Sequence, residues 1–340
     1  MNRKRFLQNV ALGSASVLFP WNNILFGKPD PKNNLQIDDW LNVEHSCDDY
    51  NAVIKCKEIK ENIKLVHISD SHISILPNGK SEFPEYTARM DAAFKDPKHY
   101  LTGVEGTKEK HFEDILKEAK EKNAKLLLLT GDIINNPTEA SVDYIKTKLD
   151  ETGIEYFYTA GNHDWHFEGM EGSSQSLHDE WVSKRLKPLY NGNNPLCYSK
   201  IIKGVNFVSI DNSTYQVNDE QVKFFREQTQ KDLPIMLCMH IPIYQPIALK
   251  RDSVSTMGDP RWGAEHDKNY IVEKRERWPE SGNQKSTCEF LIDILSCRKL
   301  LAVLSGHVHV ALQNRINVSA YQYITKASFS GAYRFIELKS

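Results

Sequence analysis

Cysteine is scarce in this chain and never closely paired. Six cysteines in 340 residues (Cys47, Cys56, Cys197, Cys238, Cys288, Cys297) are too few to staple a scaffold of this length. No Cys-x-x-Cys pair occurs, which argues against a structural zinc knot. In an oxidising compartment Cys47–Cys56 and Cys288–Cys297 could close short loops. An excess of one charge is also missing: 43 Lys+Arg stand against 45 Asp+Glu. That balance points away from a nucleic-acid polymer as partner and leaves no acidic tail. There is no internal repeat, no low-complexity tract and no apolar run long enough for a transmembrane segment.

What remains is globular in character, with 40% hydrophobic and 26% charged residues. The length allows one large domain or two small ones around a sizeable core. Only the start differs in kind. Met1–Arg5 is a basic head, and Phe6–Pro20 is a mildly apolar stretch that suits an export signal. Arg3-Lys4-Arg5-Phe6-Leu7 resembles the twin-arginine export motif with lysine in place of the second arginine. No Ala-x-Ala cleavage site is evident, and no cysteine follows closely enough for a lipoprotein. Residues 1–25 are therefore set aside as an export signal, and the protein is expected outside the cytoplasm, in the periplasm or beyond. Residues 26–340 are expected to form one domain, entered through a Pro/Asn/Asp-rich linker over Pro29–Trp40.

Apolar runs mark the expected strands: Ile63–Ile68, Lys125–Leu129, Gly153–Tyr158, Val205–Ile210, Pro234–Met239 and Leu300–Leu304. Helical spacing appears between them, over Tyr86–Phe94, His111–Asn123, Ala140–Leu149, Gln175–Leu186 and Asp219–Gln230. Ser286-Thr-Cys-Glu289 reads as a capping box opening a helix over Phe290–Cys297. The tail, Gln322–Leu338, alternates like antiparallel strands closing a sheet. Strand–helix alternation of this kind predicts an α/β domain with ligands at the strand ends. Residues 246–285 break the rhythm with prolines, glycines, Arg251, Arg261, Arg275, Arg277, His266, Trp262 and Trp278, and are expected to form a cap or lid.

Five of these strands run directly into metal-ligand chemistry. Asp70 and His72 follow the first, Asp132 the second, Asn162, His163 and Asp164 the third, His240 the fourth, His307 and His309 the fifth. Asp-x-His and His-x-His are useful spacings because residues i and i+2 point alike in extended chain. Each group alone is an ordinary turn or structural histidine. All but His163 and Asp164 are candidate ligands, and those seven are too many for one tetrahedral ion and suited to two adjacent ions sharing a carboxylate. Imidazole, carboxylate and amide without thiolate favour Mn, Fe or Zn over Ca.

The ordered set Asp-x-His, Gly-Asp, Gly-Asn-His-Asp, His and Gly-His-x-His resembles the calcineurin-like metallophosphoesterase superfamily, from Asp70 to His309. The resemblance implies a four-layer α/β/β/α sandwich of two mixed β-sheets, with the metal site at the strand C-terminal ends. It implies one metal on Asp70, His72 and His309, another on Asn162, His240 and His307, and Asp132 bridging them. It further implies attack on a small-molecule phosphoester by metal-bound hydroxide, with His163 as general acid. Two ions about 3.5–4 Å apart can polarise the phosphoryl oxygens and acidify a water. Asp164 would support His163, or cap the following turn. Two departures narrow the resemblance. The Asp-Arg-Gly extension of protein Ser/Thr phosphatases is absent after Gly131-Asp132, and the tyrosine ligand of purple acid phosphatases is replaced by Asn135. Alternatives from other classes are an exported metal-binding protein without turnover, and a phospholipid-headgroup phosphodiesterase using Trp262 and Trp278 in its lid.

Overall fold

Wholly apolar strands can be buried on both faces only inside a sheet, and the long aliphatic runs lie there. The computed structural model describes residues 40–95, 97–245, 256–259 and 282–340, and the backbone alone at 271–272 and 276–277. Leu41–Ser340 form one compact unit. Residues 1–39, which hold the expected export signal and all of the expected linker but Trp40, lie outside the described residues, as do Arg251, Arg261, Trp262, His266, Arg275, Trp278 and the side chain of Arg277.

The described residues open with a hairpin, β1 (Val43–Cys47) and β2 (Asn51–Cys56), then β3 (Ile63–Ile68), β4 (Leu126–Thr130) and β5 (Glu155–Thr159). After these come β6 (Cys197–Ile202), β7 (Val205–Ile210), β8 (Ile235–Cys238), a short ribbon of β9 (Ile271–Val272) and β10 (Glu276–Arg277), β11 (Leu300–Ser305), β12 (Leu312–Arg315), β13 (Tyr321–Ile324) and β14 (Arg334–Lys339). Two six-stranded sheets result, ordered β1-β2-β14-β3-β4-β5 and β12-β13-β11-β8-β7-β6. Both are mixed. β3, β4 and β5 run parallel, with β14 antiparallel to β3. In the second sheet β7, β8, β11 and β13 run parallel, flanked by antiparallel β6 and β12.

The helices are α1 (Pro84–Ala93), α2 (Lys108–Glu121), α3 (Glu139–Thr152), α4 (Ser174–Trp181), α5 (Asp219–Thr229) and α6 (Lys285–Ser296). In α2 the buried positions Phe112, Ile115, Leu116 and Ala119 repeat at helical spacing. Side chains of β8 alternate between two cores. Met236 and Cys238 join the cluster that holds Leu65 and Leu127 of the first sheet. Ile235 and Leu237 pack with Phe225 of α5 and Phe290 of α6. The period of two thus gives the second sheet one face toward the first and one toward α5 and α6. The architecture is α/β, built on two mixed sheets with helices, as expected.

Several local expectations are corrected. The helix at 285–296 starts earlier than its supposed box: Gln284 is its N-cap, with no side-chain cap, and Ser286 Oγ instead donates to Val217 O at 2.7 Å. A true capping box occurs on α5, between Asn218 and Gln221. The tail does not close one sheet. β13 joins the second sheet and β14 the first, where β14 also runs parallel to β2. The helix expected through Leu186 leaves α-geometry after Trp181 and continues as a wider turn over Val182–Leu186. All six cysteines are free. In the hairpin Cys47 faces Ala52 while Cys56 faces Val43, an offset of roughly 13 Å along the strands, beyond disulfide reach. Cys288 and Cys297 are separated along α6 by a similar roughly 13 Å.

Candidate metal centre

The C-terminal ends of β3, β4, β5, β8 and β11 deliver every candidate ligand read from the sequence. Among the described residues, three groups have ligand atoms within 4.8 Å of one another: Asp70, His72 and His309; His72, Asp132 and His163; Asp132, His240 and His307. Asp132 and His72 each belong to two groups, so the clusters are continuous. Asp70, His72, Asp132, Asn162, His163 and His240 are buried.

The backbone does not reach this arrangement in the way the spacing suggested. Asp70, His72, Asp132, His307 and His309 have φ of +57°, +45°, +52°, +69° and +57°. They are left-handed, not extended, so the i, i+2 argument fails for them. His307 and His309 in fact fall in different groups. Left-handed non-glycine residues cost on the order of 1–2 kcal/mol each. Here the surroundings hold them. Asp70 N donates to Gly131 O (3.0 Å), His72 N to Asp132 O (2.9 Å), Ile73 N to Ile133 O (3.1 Å) and Asn135 N to Ile73 O (2.9 Å), zipping the loops after β3 and β4. Phe329 N donates to Asp70 O (3.0 Å) from the turn before β14, and Gly306 N to His240 O (3.0 Å). The glycines permit the close approach. A Cβ on Gly161 would strike the backbone and carboxylate of Asp132, and one on Gly306 would strike Ser69 Oγ and the Asp70 carboxylate.

Side chains fix the rings. His240 Nδ1 lies 2.7 Å from Thr130 O. A carbonyl only accepts, so that nitrogen carries a proton and Nε2 faces the centre. Nε2 comes within 3.2 Å of Asp132 Oδ2 yet makes no aligned hydrogen bond. His72 Nδ1 donates to Asn135 Oδ1 at 3.3 Å, and Asn135 Nδ2 donates to Asp91 Oδ1 at 3.3 Å. His72 Nε2 then faces His309 Nε2 at 3.1 Å. Phe94 stacks on the His72 ring with centroids 4.2 Å apart.

The charges are distributed unevenly. Burial and the neighbouring His163 hold His72 well below its usual pKa, and burial and His240 push His307 down to about 3. For His240 burial opposes protonation, but the Asp132 carboxylate prevails and raises it to about 9. Asp132 is held well below the carboxylate range by His240 and His163, against the cost of burial. Asp164 sits apart from the ligand groups. Its carboxylate accepts from Gly161 N (2.8 Å) and Ile134 N (2.9 Å), tying the Gly161–Asp164 turn to the loop after β4. Burial and Asp132 push its pKa up to about 7. The carboxylate thus holds the turn that carries Asn162 and His163.

This donor set fits divalent ions. Imidazole and carboxylate ligands converge, two ring nitrogens are turned inward by partners on their far side, and His240 Nε2 is buried without a hydrogen bond. Three neighbours escaped sequence reasoning. Asp91 reaches the centre from α1 through Asn135, Phe94 covers His72, and Tyr215 OH lies 3.0 Å from His307 Nε2. Asn135 itself had left a trace in the sequence, at the position where purple acid phosphatases carry tyrosine.

The family model for calcineurin-like phosphoesterases matches residues 63–311, from the first residue of β3 to just beyond His309. The chain belongs to that family. A stretch of 55 residues is 46% identical to a probable cyclic nucleotide phosphodiesterase of Psychrobacter arcticus, covering 16% of this chain and 20% of that protein. The chain thus spans about a fifth of that relative. A dimetal phosphatase from Danio rerio aligns over 79% of this chain and 88% of its own at 12% identity and a TM-score of 0.49. A purple acid phosphatase from yellow lupin aligns over 82% and 47% at 12% identity and a TM-score of 0.48. The family assignment rests on the matched span of residues.

Proposed function

We propose that this protein hydrolyses a small-molecule phosphoester, mono- or diester, at two divalent ions of Mn, Fe or Zn. The observation that carries the reading is Asp132, whose carboxylate falls within 4.8 Å of ligand atoms of His72 and His163 on one side and of His240 and His307 on the other. Asp70, His72 and His309 would hold one ion; Asn162, His240 and His307 the other. Asp132 would join them. The ions, when bound, neutralise charge on the phosphoryl group and lower the pKa of a water toward neutrality. The remaining work falls to the chain. Thr130 O and Asn135 aim the rings of His240 and His72. Asp132 Oδ1 accepts from His163 N at 2.7 Å, fixing the residue assigned here as proton donor to the departing alkoxide.

The export signal read in residues 1–25 supports action outside the cytoplasm. Among the described residues no helix is long and apolar enough to cross a membrane. The test is a panel of nucleotides, cyclic nucleotides, phospholipids and sugar phosphates on Mn-loaded protein. Two bound equivalents with hydrolysis of at least one ester are expected. Two equivalents without turnover of any ester would favour a metal-binding protein instead. For the proton donor, His163→Gln should slow esters of alkyl alcohols about 10²–10⁴-fold, and p-nitrophenyl esters far less, because a good leaving group needs no proton. Equal slowing of both would remove His163 from that role.

A further inference from the structure

Tyr215 lies outside every ligand motif, yet its backbone turns left-handed, with φ +67°. A bulky aromatic residue there is a real outlier, costing on the order of 1–2 kcal/mol. Such strain persists only where surroundings enforce it, and it collects at functional sites. The enforcement is visible on both sides. Asn212 donates through Nδ2 to Ile241 O (2.7 Å) and accepts through Oδ1 from His240 N (3.1 Å) and Ile241 N (3.0 Å). Tyr215 N donates back to Asn212 O at 2.8 Å. Beyond it, Gln216 Nε2 donates to Asn283 Oδ1 (3.0 Å), and Gln216 Oε1 accepts from Gln284 N (2.8 Å). The loop after β7 is thereby pinned to β8 at one end and to the start of α6 at the other.

The strained residue places its hydroxyl 3.0 Å from His307 Nε2, with the two rings edge to face at 5.4 Å. A neutral imidazole has one N–H and one bare nitrogen. We propose that Tyr215 is the positioning residue for His307: its hydroxyl accepts Nε2–H, so that Nδ1 presents its lone pair to the group formed with Asp132 and His240. His240 and His72 are oriented by a backbone carbonyl and a buried amide. His307 is oriented by a hydroxyl on a loop. Partners of this kind commonly contribute 10–100-fold in metal affinity.

The inference rests on the dimetal reading above, and the experiment separates the two. Full-length protein and Tyr215→Phe are titrated with Mn²⁺ by calorimetry, with bound metal measured independently. Tyr215→Phe keeps the ring and the backbone conformation and removes only the hydroxyl. Wild type is expected to bind two equivalents. The variant should bind one equivalent as wild type does and the other 10–100-fold more weakly, with the melting temperature of the metal-free protein unchanged. Equal affinity for both equivalents in wild type and variant overturns the role of Tyr215, as does equal weakening of both. Fewer than two equivalents on wild type overturns the dimetal reading and the inference with it.

Discussion

The two sides of the centre are held by different means. Residues after β3 and β4 are locked chiefly by backbone hydrogen bonds between their loops, those after β5 are tied to them through the Asp132 and Asp164 carboxylates, and all of them are buried. Residues after β11 lean more on side chains: His307 N donates to both Asp70 oxygens at 3.0 Å, Tyr215 contacts its ring, and His309 remains 32% exposed. A backbone lattice survives most single substitutions, whereas a side-chain contact is lost with one. The first side should therefore tolerate changes around it, and the second should lose metal when one neighbour changes. Asp132 is the exception on the first side, because both sides depend on its charge.

The largest effect is accordingly expected there. Asp132→Asn keeps the shape but removes the carboxylate that His240 Nε2 approaches at 3.2 Å and His72 Nε2 at 3.8 Å. Hydrolysis should fall by about 10³-fold or more, as expected when a group acting on transition-state charge is lost. Bound metal should fall below two equivalents. Steady-state rates and metal content measure both. Full activity in the variant would mean that the two groups work without a shared carboxylate.

This asymmetry was only partly legible in the sequence. Strands β4, β8 and β11 announced themselves as nearly continuous apolar runs, because burial on both faces leaves no polar alternation, and β3 and β7 as apolar runs broken by Lys64, His67, Asn206 and Ser209. The hairpin β1–β2 did not: Asn51-Ala-Val-Ile-Lys-Cys mixes charge into a half-exposed pattern. The ligand residues were legible because their types are few and each follows a strand. Their geometry was not, since Asp and His enter the left-handed region more often than most residues, but that preference alone does not single out Asp70 or His307. Partners of the rings were the least legible. Asp91 and Asn135 are 44 residues apart, and His72 and Asn135 63, so only the folded chain brings them together. Tyr215 follows no motif at all.

A smaller effect tests the tolerance claimed for the first side. Asp91 Oδ1 gathers Ser74 Oγ (2.7 Å), Asn135 Nδ2 (3.3 Å) and Asn136 Nδ2 (3.3 Å). Asp91→Ala removes the acceptor that orients Asn135, and with it the far-side partner of His72. If backbone bonds dominate on this side, metal affinity should fall by less than 10-fold, the low end for such partners. Tyr215→Phe should then cost more than Asp91→Ala. The reverse order, measured by the same metal titration, would invert the comparison.

The smallest effect concerns the link between the sides. Trp165, beside the Gly161–Asp164 turn, donates through Nε1 to Ser213 Oγ (2.9 Å), which donates to Asp211 Oδ1 (2.6 Å). Asp211 Oδ2 faces His178 Nε2 of α4 at 3.0 Å, and Asp179 Oδ1 faces the other ring nitrogen at 3.0 Å. Burial disfavours the imidazolium, but Asp211 outweighs it and raises His178 to about 8 from 6.5. A folded-state pKa above the unfolded one stabilises the native protein fully below about pH 6.5. That contribution disappears as pH rises through about 8. At 1.36 kcal/mol per unit, the loss is about 1–2 kcal/mol. Denaturant unfolding of wild type should show this fall between pH 6.5 and 8.5, and His178→Gln should flatten that part of the profile. A wild-type profile already flat there would mean that His178 is neutral in the folded protein, and that the link between the two sides is carried by Trp165 and Ser213 without charge.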